Sequence, residues 1–152
     1  GGAEPANGAI IAQGGKFGGW SFYMKDGVLA YAHNWVGLET FIVRADEPLG
    51  KGSHDLLLDF AYDGGGAGKG GTVTFTANGK AIGTGHIEKT VPAIFSFDDF
   101  MDIGHDNGEP VVEDYGPTGG TFTGAIEMVR IDLNGESHHD HDLSLKAKYA
   151  KQ

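Results

Sequence analysis

Asp102, Asp106, Glu109, Glu113 and Asp114 put five carboxylates into one short stretch, with Asp98, Asp99 and Asn107 beside them. Calcium takes about six to eight oxygens from carboxylates, amides and backbone carbonyls, and sandwich loops can supply them. The spacing departs from the EF-hand pattern, so calcium is an expectation from composition, set against a solvated acidic loop. If calcium binds here, EDTA should lower the melting temperature. A second set, His138, His139 and His141 among Ser137, Asp140 and Asp142, offers the donors that zinc, nickel or copper would take. Adjacent residues seldom converge on one ion without a second element, and Asp140 or Asp142 could equally cap a short following helix. Trp20, Tyr31 and Trp35 form the third set. Exposed on a sheet face they could stack on sugar rings, whereas their alternation favours a place in the core between two sheets.

Other chemistry finds little footing. The run Asp63-Gly64-Gly65-Gly66-Ala67-Gly68-Lys69-Gly70-Gly71-Thr72 has the glycine content of a phosphate cradle. A Walker loop needs Ser or Thr directly after its lysine and a helix beyond; here Gly70 follows and then a strand. Nucleotide binding is thereby excluded, and an inter-strand loop is expected. Glu113 and Asp114 lack anything that fixes the separation a glycosidase requires. No nucleophile-elbow motif accompanies the serines. Cysteine is absent, which removes disulfides, thiolate zinc sites and cysteine nucleophiles.

The elements that must position these residues read as strands. Ala9–Gln13, Trp20–Lys25, Val28–Trp35 and Thr40–Arg44 alternate, with Asp26-Gly27 as a hairpin signal. Leu29, Tyr31, His33 and Trp35 share one face by period two. His54–Tyr62 puts Leu56, Leu58, Phe60 and Tyr62 on another face, and Asn78-Gly79 joins Thr72–Ala77 to Lys80–Gly83. Val91–Phe97, interrupted by Pro92, suits an edge, and Asp98–Gly119 reads as an ordered acidic loop. Thr121–Leu133 is a last long strand. The spacing predicts an all-β fold, an antiparallel two-sheet sandwich over residues 1–133. Residues 134–152 form a C-terminal tail, with one or two helical turns expected over Leu143–Lys151. Trp20, Phe22, Leu58, Phe60, Phe75 and Ile131 are the expected core.

Length and composition agree with this reading. The 152 residues suit one domain, and 27 glycines fit a chain of many short strands and turns. A formal charge of −10 argues against nucleic acid as a partner. No stretch approaches the about 20 apolar residues of a membrane helix, so no membrane partner is expected.

Ile10-Ile11-Ala12-Gln13-Gly14-Gly15-Lys16-Phe17-Gly18-Gly19-Trp20-Ser21-Phe22-Tyr23 resembles a signature in the C-terminal domain of bacterial arylsulfatases. The likeness continues through Arg44–Leu49, Asp59–Thr72, Pro92–Phe97, Asp102–Gly104, Pro110–Tyr115, Phe122–Gly124 and the end of the chain. It implies a concanavalin- or laminin-G-like jelly-roll sandwich and a periplasmic or secreted location. It also implies that sulfate-ester hydrolysis belongs to a separate catalytic domain, which carries a [CS]-x-P-x-R motif and a divalent cation, usually calcium. None of the serines here is followed by x-Pro-x-Arg, so no catalytic residue and no cofactor of that domain transfers to this chain. The implied function is a non-catalytic accessory domain packing on the catalytic sulfatase domain. The alternative is a free-standing lectin-like glycan-binding sandwich or an interaction subunit. In such enzymes a strand precedes the segment matching Gly2–Gly8, so either another polypeptide beside Ile10 and Ile11 is expected to complete the sandwich edge or the chain is a fragment of a longer enzyme.

Overall fold

The computed structural model describes residues 6–15, 18–35, 37–50, 52–62, 70–88, 101–103, 114, 122–123, 125–134 and 142–151. Ten strands cover most of them: β1 (Gly8–Gly15), β2 (Gly18–Lys25), β3 (Val28–Trp35), β4 (Glu39–Arg44), β5 (Gly52–Tyr62), β6 (Gly71–Ala77), β7 (Lys80–Ile87), β8 (Met101–Ile103), β9 (Ala125–Asn134) and β10 (Asp142–Lys151). They form two antiparallel five-stranded sheets, sheet A in the order β4-β3-β2-β1-β8 and sheet B in the order β7-β6-β5-β10-β9. In sheet A the four consecutive strands β1–β4 are joined by β8 returning beside β1, and in sheet B the three consecutive strands β5–β7 are joined by β10 returning beside β5, the Greek-key order common in sandwiches. The chain is an all-β sandwich.

Local chemistry sets the hairpins. Asp26 and Gly27 have φ of 51° and 81°, and Asn78 and Gly79 have 52° and 84°. Both pairs thus take the two positive φ values of a type I′ turn, whose twist matches the flanking strands. The glycines between Gln13 and Trp20 extend both strands, with Gly14 paired to Gly19 and Gly15 to Gly18. A bulge between Ala9 and Ile11 lets the neighbours Ile10 and Ile11 both reach the core, where each is fully buried.

Two expectations need correction. The C-terminal segment is not helical: β10 lies between β5 and β9 and pairs with both along its length. Its Leu143-Ser144-Leu145-Lys146-Ala147-Lys148-Tyr149 alternates with period two, and insertion into the sheet outweighs the helix propensity of Leu, Lys and Ala. Residues 142–151 are therefore part of the sandwich, not a tail on it. The strand beside Ile11 also comes from the chain itself. β8 pairs Ile103, Asp102 and Met101 with Ile11, Ala12 and Gln13. Nearer the N-terminus, Asn7 N donates to Thr123 Oγ1 at 3.0 Å and Thr123 N donates to Asn7 O at 2.9 Å. The segment Asp98–Gly119, read as a loop, contributes this strand; Val91–Phe97 lies outside the described residues.

The core lies between the sheets. Trp20, Phe22, Met24, Leu29 and Tyr31 from sheet A meet Leu56, Leu58, Phe60, Val73 and Phe75 from sheet B. Phe22 stacks on Phe75 with ring centroids 6.1 Å apart, and Tyr31 meets Phe60 at the same separation. Along one long side β4 and β7 close the sandwich, with Asp46 N donating to Ile82 O at 2.8 Å. Glycine permits that approach: a Cβ at Gly83 would stand 2.8 Å from Ala45 Cα, and one at Gly85 would stand 2.6 Å from Val43 Cγ1.

Candidate functional site

The outer face of sheet A carries the most organised polar cluster among the described residues. Cross-strand pairing sets Ala12, Ser21, Ala32 and Ile42 in one row and Ala9, Tyr23, Ala30 and Arg44 in the next. Ala9, Ala12, Ser21, Tyr23, Ala30 and Ala32 are all shielded from solvent. Small side chains make this a flat floor, with Tyr23 and Arg44 flanking Ala30 across the strands.

Above the floor Asp114 is held by three donors. Tyr23 Oη donates to Oδ2 at 2.9 Å, Lys25 Nζ donates to Oδ1 at 2.6 Å, and Arg44 Nη2 donates to Oδ2. Burial alone would raise the carboxyl; the hydrogen bonds from Lys25, Tyr23 and Arg44 outweigh it and hold the group below the usual carboxylate range. Burial first, and then the bond to this carboxylate, pushes the Tyr23 phenol far above its ordinary range. Asp114 is thus a fixed anion tying its segment to the ends of β2 and β4. Lys25 and Arg44 are only half exposed to solvent on this face.

A second polar group sits inside. Gln13, Trp20, His33 and Phe41 share a cross-strand row on the inner face. Trp20 Nε1 donates to Gln13 Oε1 at 3.0 Å, and Trp20 stacks on Tyr31 at 6.4 Å. The Tyr31 hydroxyl lies 3.3 Å from His33 Nδ1. His33 is fully buried, and burial lowers its pKa from 6.5 to about 4, so it stays neutral at neutral pH. Burial likewise raises the Tyr31 phenol well above its usual range. These polar groups are paired with one another inside the core.

The third cluster locks the β5–β7 hairpins. His54 Nε2 lies 2.7 Å from Gly50 O, which can only accept, so Nε2 carries the proton. Nδ1 then accepts from Asn78 Nδ2 at 3.0 Å, while Asn78 Oδ1 accepts from Asp55 N at 3.0 Å. Both imidazole nitrogens are engaged in structure.

The residues expected to do chemistry fall differently. Trp20 and Tyr31 are fully buried between the sheets and present no ring to a sugar, so the stacking expectation is corrected for both. Asp114 faces two cations and a phenol, a shell of donors that suits its carboxylate charge. Asp102 is fixed by backbone pairing opposite Ala12 in β8. The side chains of Asp102 and Trp35, and Asp106, Glu109, Glu113, His138, His139 and His141 altogether, lie outside the described residues. Among the described residues no three His, Asp or Glu side chains converge as a metal-binding group. Sequence reasoning missed Lys25 and Arg44. They stand 89 and 70 residues from Asp114, and only the folded sheet brings them together. Comparison with family models, curated proteins and solved structures finds no match for the chain.

Proposed function

We propose that this chain is a non-catalytic accessory module, the C-terminal β-sandwich domain of an arylsulfatase, packing on a catalytic body that carries the sulfate-ester chemistry. The resemblance of Ile10–Tyr23 and Asp59–Thr72 to that family supplies the identity. The observation that carries the reading is the work done by those motif residues. Trp20 and Phe22 face the core, Ser21 and Tyr23 face the covered outer floor, and Tyr23 holds Asp114. Phe60 packs against Tyr31. A motif spent on scaffold fits a module that supports another domain's chemistry. Three of the described acid–base groups are committed to structure: Asp114 to three donors, His33 to the core, His54 to a hairpin.

The outer face of sheet B suits docking on a polar surface. Asp55, Ala61, Thr72, Thr84 and His86 are exposed there, with Asp59, Thr74 and Thr76 half-buried. The test is reconstitution. A sulfatase catalytic body from the same source, expressed without its C-terminal module, should bind the purified chain one to one and gain thermal stability. The chain alone should leave an aryl sulfate intact. Absence of a complex, or hydrolysis by the chain alone, would overturn the proposal.

A further inference from the structure

An open sandwich has four edge strands, and three of them are guarded. β4 and β7 close on each other through Asp46 and Ile82 and the glycines of β7. β8 is only three residues long. The fourth, β9, runs ten residues with neither proline nor glycine, pairs with β10 along one side, and has no second strand partner among the described residues. A long edge of this kind presents backbone N–H and C=O groups that template pairing with another strand.

We propose that β9 pairs antiparallel with β9 of a second copy about a two-fold axis at Ile131, fusing two copies of sheet B into one continuous sheet. Charge selects both the partner and the register. With Ile131 opposite itself, Arg130 lies across from Asp132 of the second copy, and symmetry repeats the pair. Val129 then lies across from Leu133, and Met128 from Asn134. Centring the pair on residue 130 or 132 instead sets Arg130 against Arg130 or Asp132 against Asp132, and like charges directly opposite are unfavourable. The strand therefore matches its own copy best in one register.

Faces agree as well. Ile131 is level with Leu145 of β10 and, beyond it, Leu58 of β5, which is buried in the core. Period two then places positions 129, 131 and 133 in the core-side register and 130 and 132 in the outer one. A two-fold axis normal to the sheet preserves those faces, so apolar positions continue apolar ones across the junction. The interface is isologous and closes at two copies.

The experiment is native mass spectrometry and light scattering of the purified chain over a range of concentrations. The wild type is expected to dimerise reversibly, with amide exchange in residues 125–134 slowing as concentration rises. Arg130→Asp and Asp132→Arg should each weaken the dimer about tenfold or more, and R130D/D132R should restore it. Circular dichroism confirms that each variant is folded, and the wild-type mass and exchange data decide the matter if one is not. A wild type that stays monomeric at high concentration, or a dimer indifferent to both single reversals, would overturn the proposal. So would a folded double variant that remains monomeric.

Discussion

Asp114 accepts hydrogen bonds from Tyr23 and Lys25 of β2 and from Arg44 of β4, and these contacts are not equivalent. Tyr23 is fully buried, so removing the carboxylate leaves its hydroxyl without that partner. Asp114→Ala should lower unfolding free energy by about 1–3 kcal/mol. Lys25 and Arg44 side chains are 40% and 49% exposed, and solvent screening should hold Lys25→Ala and Arg44→Ala to under about 1 kcal/mol each. Urea titrations separate the two cases. His33 gives a pH signature. Its unfolded pKa of 6.5 falls to about 4 on burial, so its neutral form is compatible with the fold and its charged form is not. The associated stability is complete above pH 6.5 and is lost progressively as pH falls to about 4, on the order of 3 kcal/mol in all. The difference between wild type and His33→Gln, measured by denaturation at several pH values, should carry that slope. A pH-independent difference would contradict the burial argument. Residue types alone flagged Asp114 as a metal ligand and Tyr31 as a sugar-stacking ring. The donors to Asp114 come from β2 and β4, and the Tyr31 ring packs on Trp20 of β2 and Phe60 of β5, so their roles became visible only in the fold.

Strands and turns were far more legible than sites because their signals are local. Period two placed Leu29, Tyr31 and His33 on one face and Leu56, Leu58 and Phe60 on another, and all six are buried or core-packed. Asp26-Gly27 and Asn78-Gly79 announced their turns through the positive φ each residue adopts. β10 was misread because Leu, Ala and Lys favour helix in isolation, while a cross-chain ladder of pairs with β5 and β9 decides otherwise. Nor could the sequence say which glycines permit close approach. At the β4–β7 corner, a Cβ on Gly85 would stand 2.6 Å from Val43 Cγ1. Gly85→Ala should destabilise by about 1–3 kcal/mol, and adding Val43→Ala should recover part of that loss in a double-mutant cycle. Gly83→Ala meets the backbone of Ala45 at 2.8 Å, where no side chain can yield, so truncating Val43 should not rescue it.

At the scale of the molecule, two sheets enclose a core, the outer face of sheet A is shielded over β1–β3, and the outer positions of β5–β7 are exposed or half-buried. With a charge of −10, docking that uses the Asp55 and Asp59 face should be favoured by a basic patch on the catalytic body and should weaken with added salt. The sandwich was legible from strand count and turn chemistry. The proposed partner rests on motif resemblance alone, because the residues that build a scaffold do not encode what it supports. The most direct measurement of the accessory role is native mass spectrometry with peptide mapping on material from the source. The account predicts that the chain's peptides travel with a polypeptide, joined or associated, that carries a [CS]-x-P-x-R motif. Peptides found only in a 16.0 kDa species or its own dimer, with no such polypeptide, would contradict it.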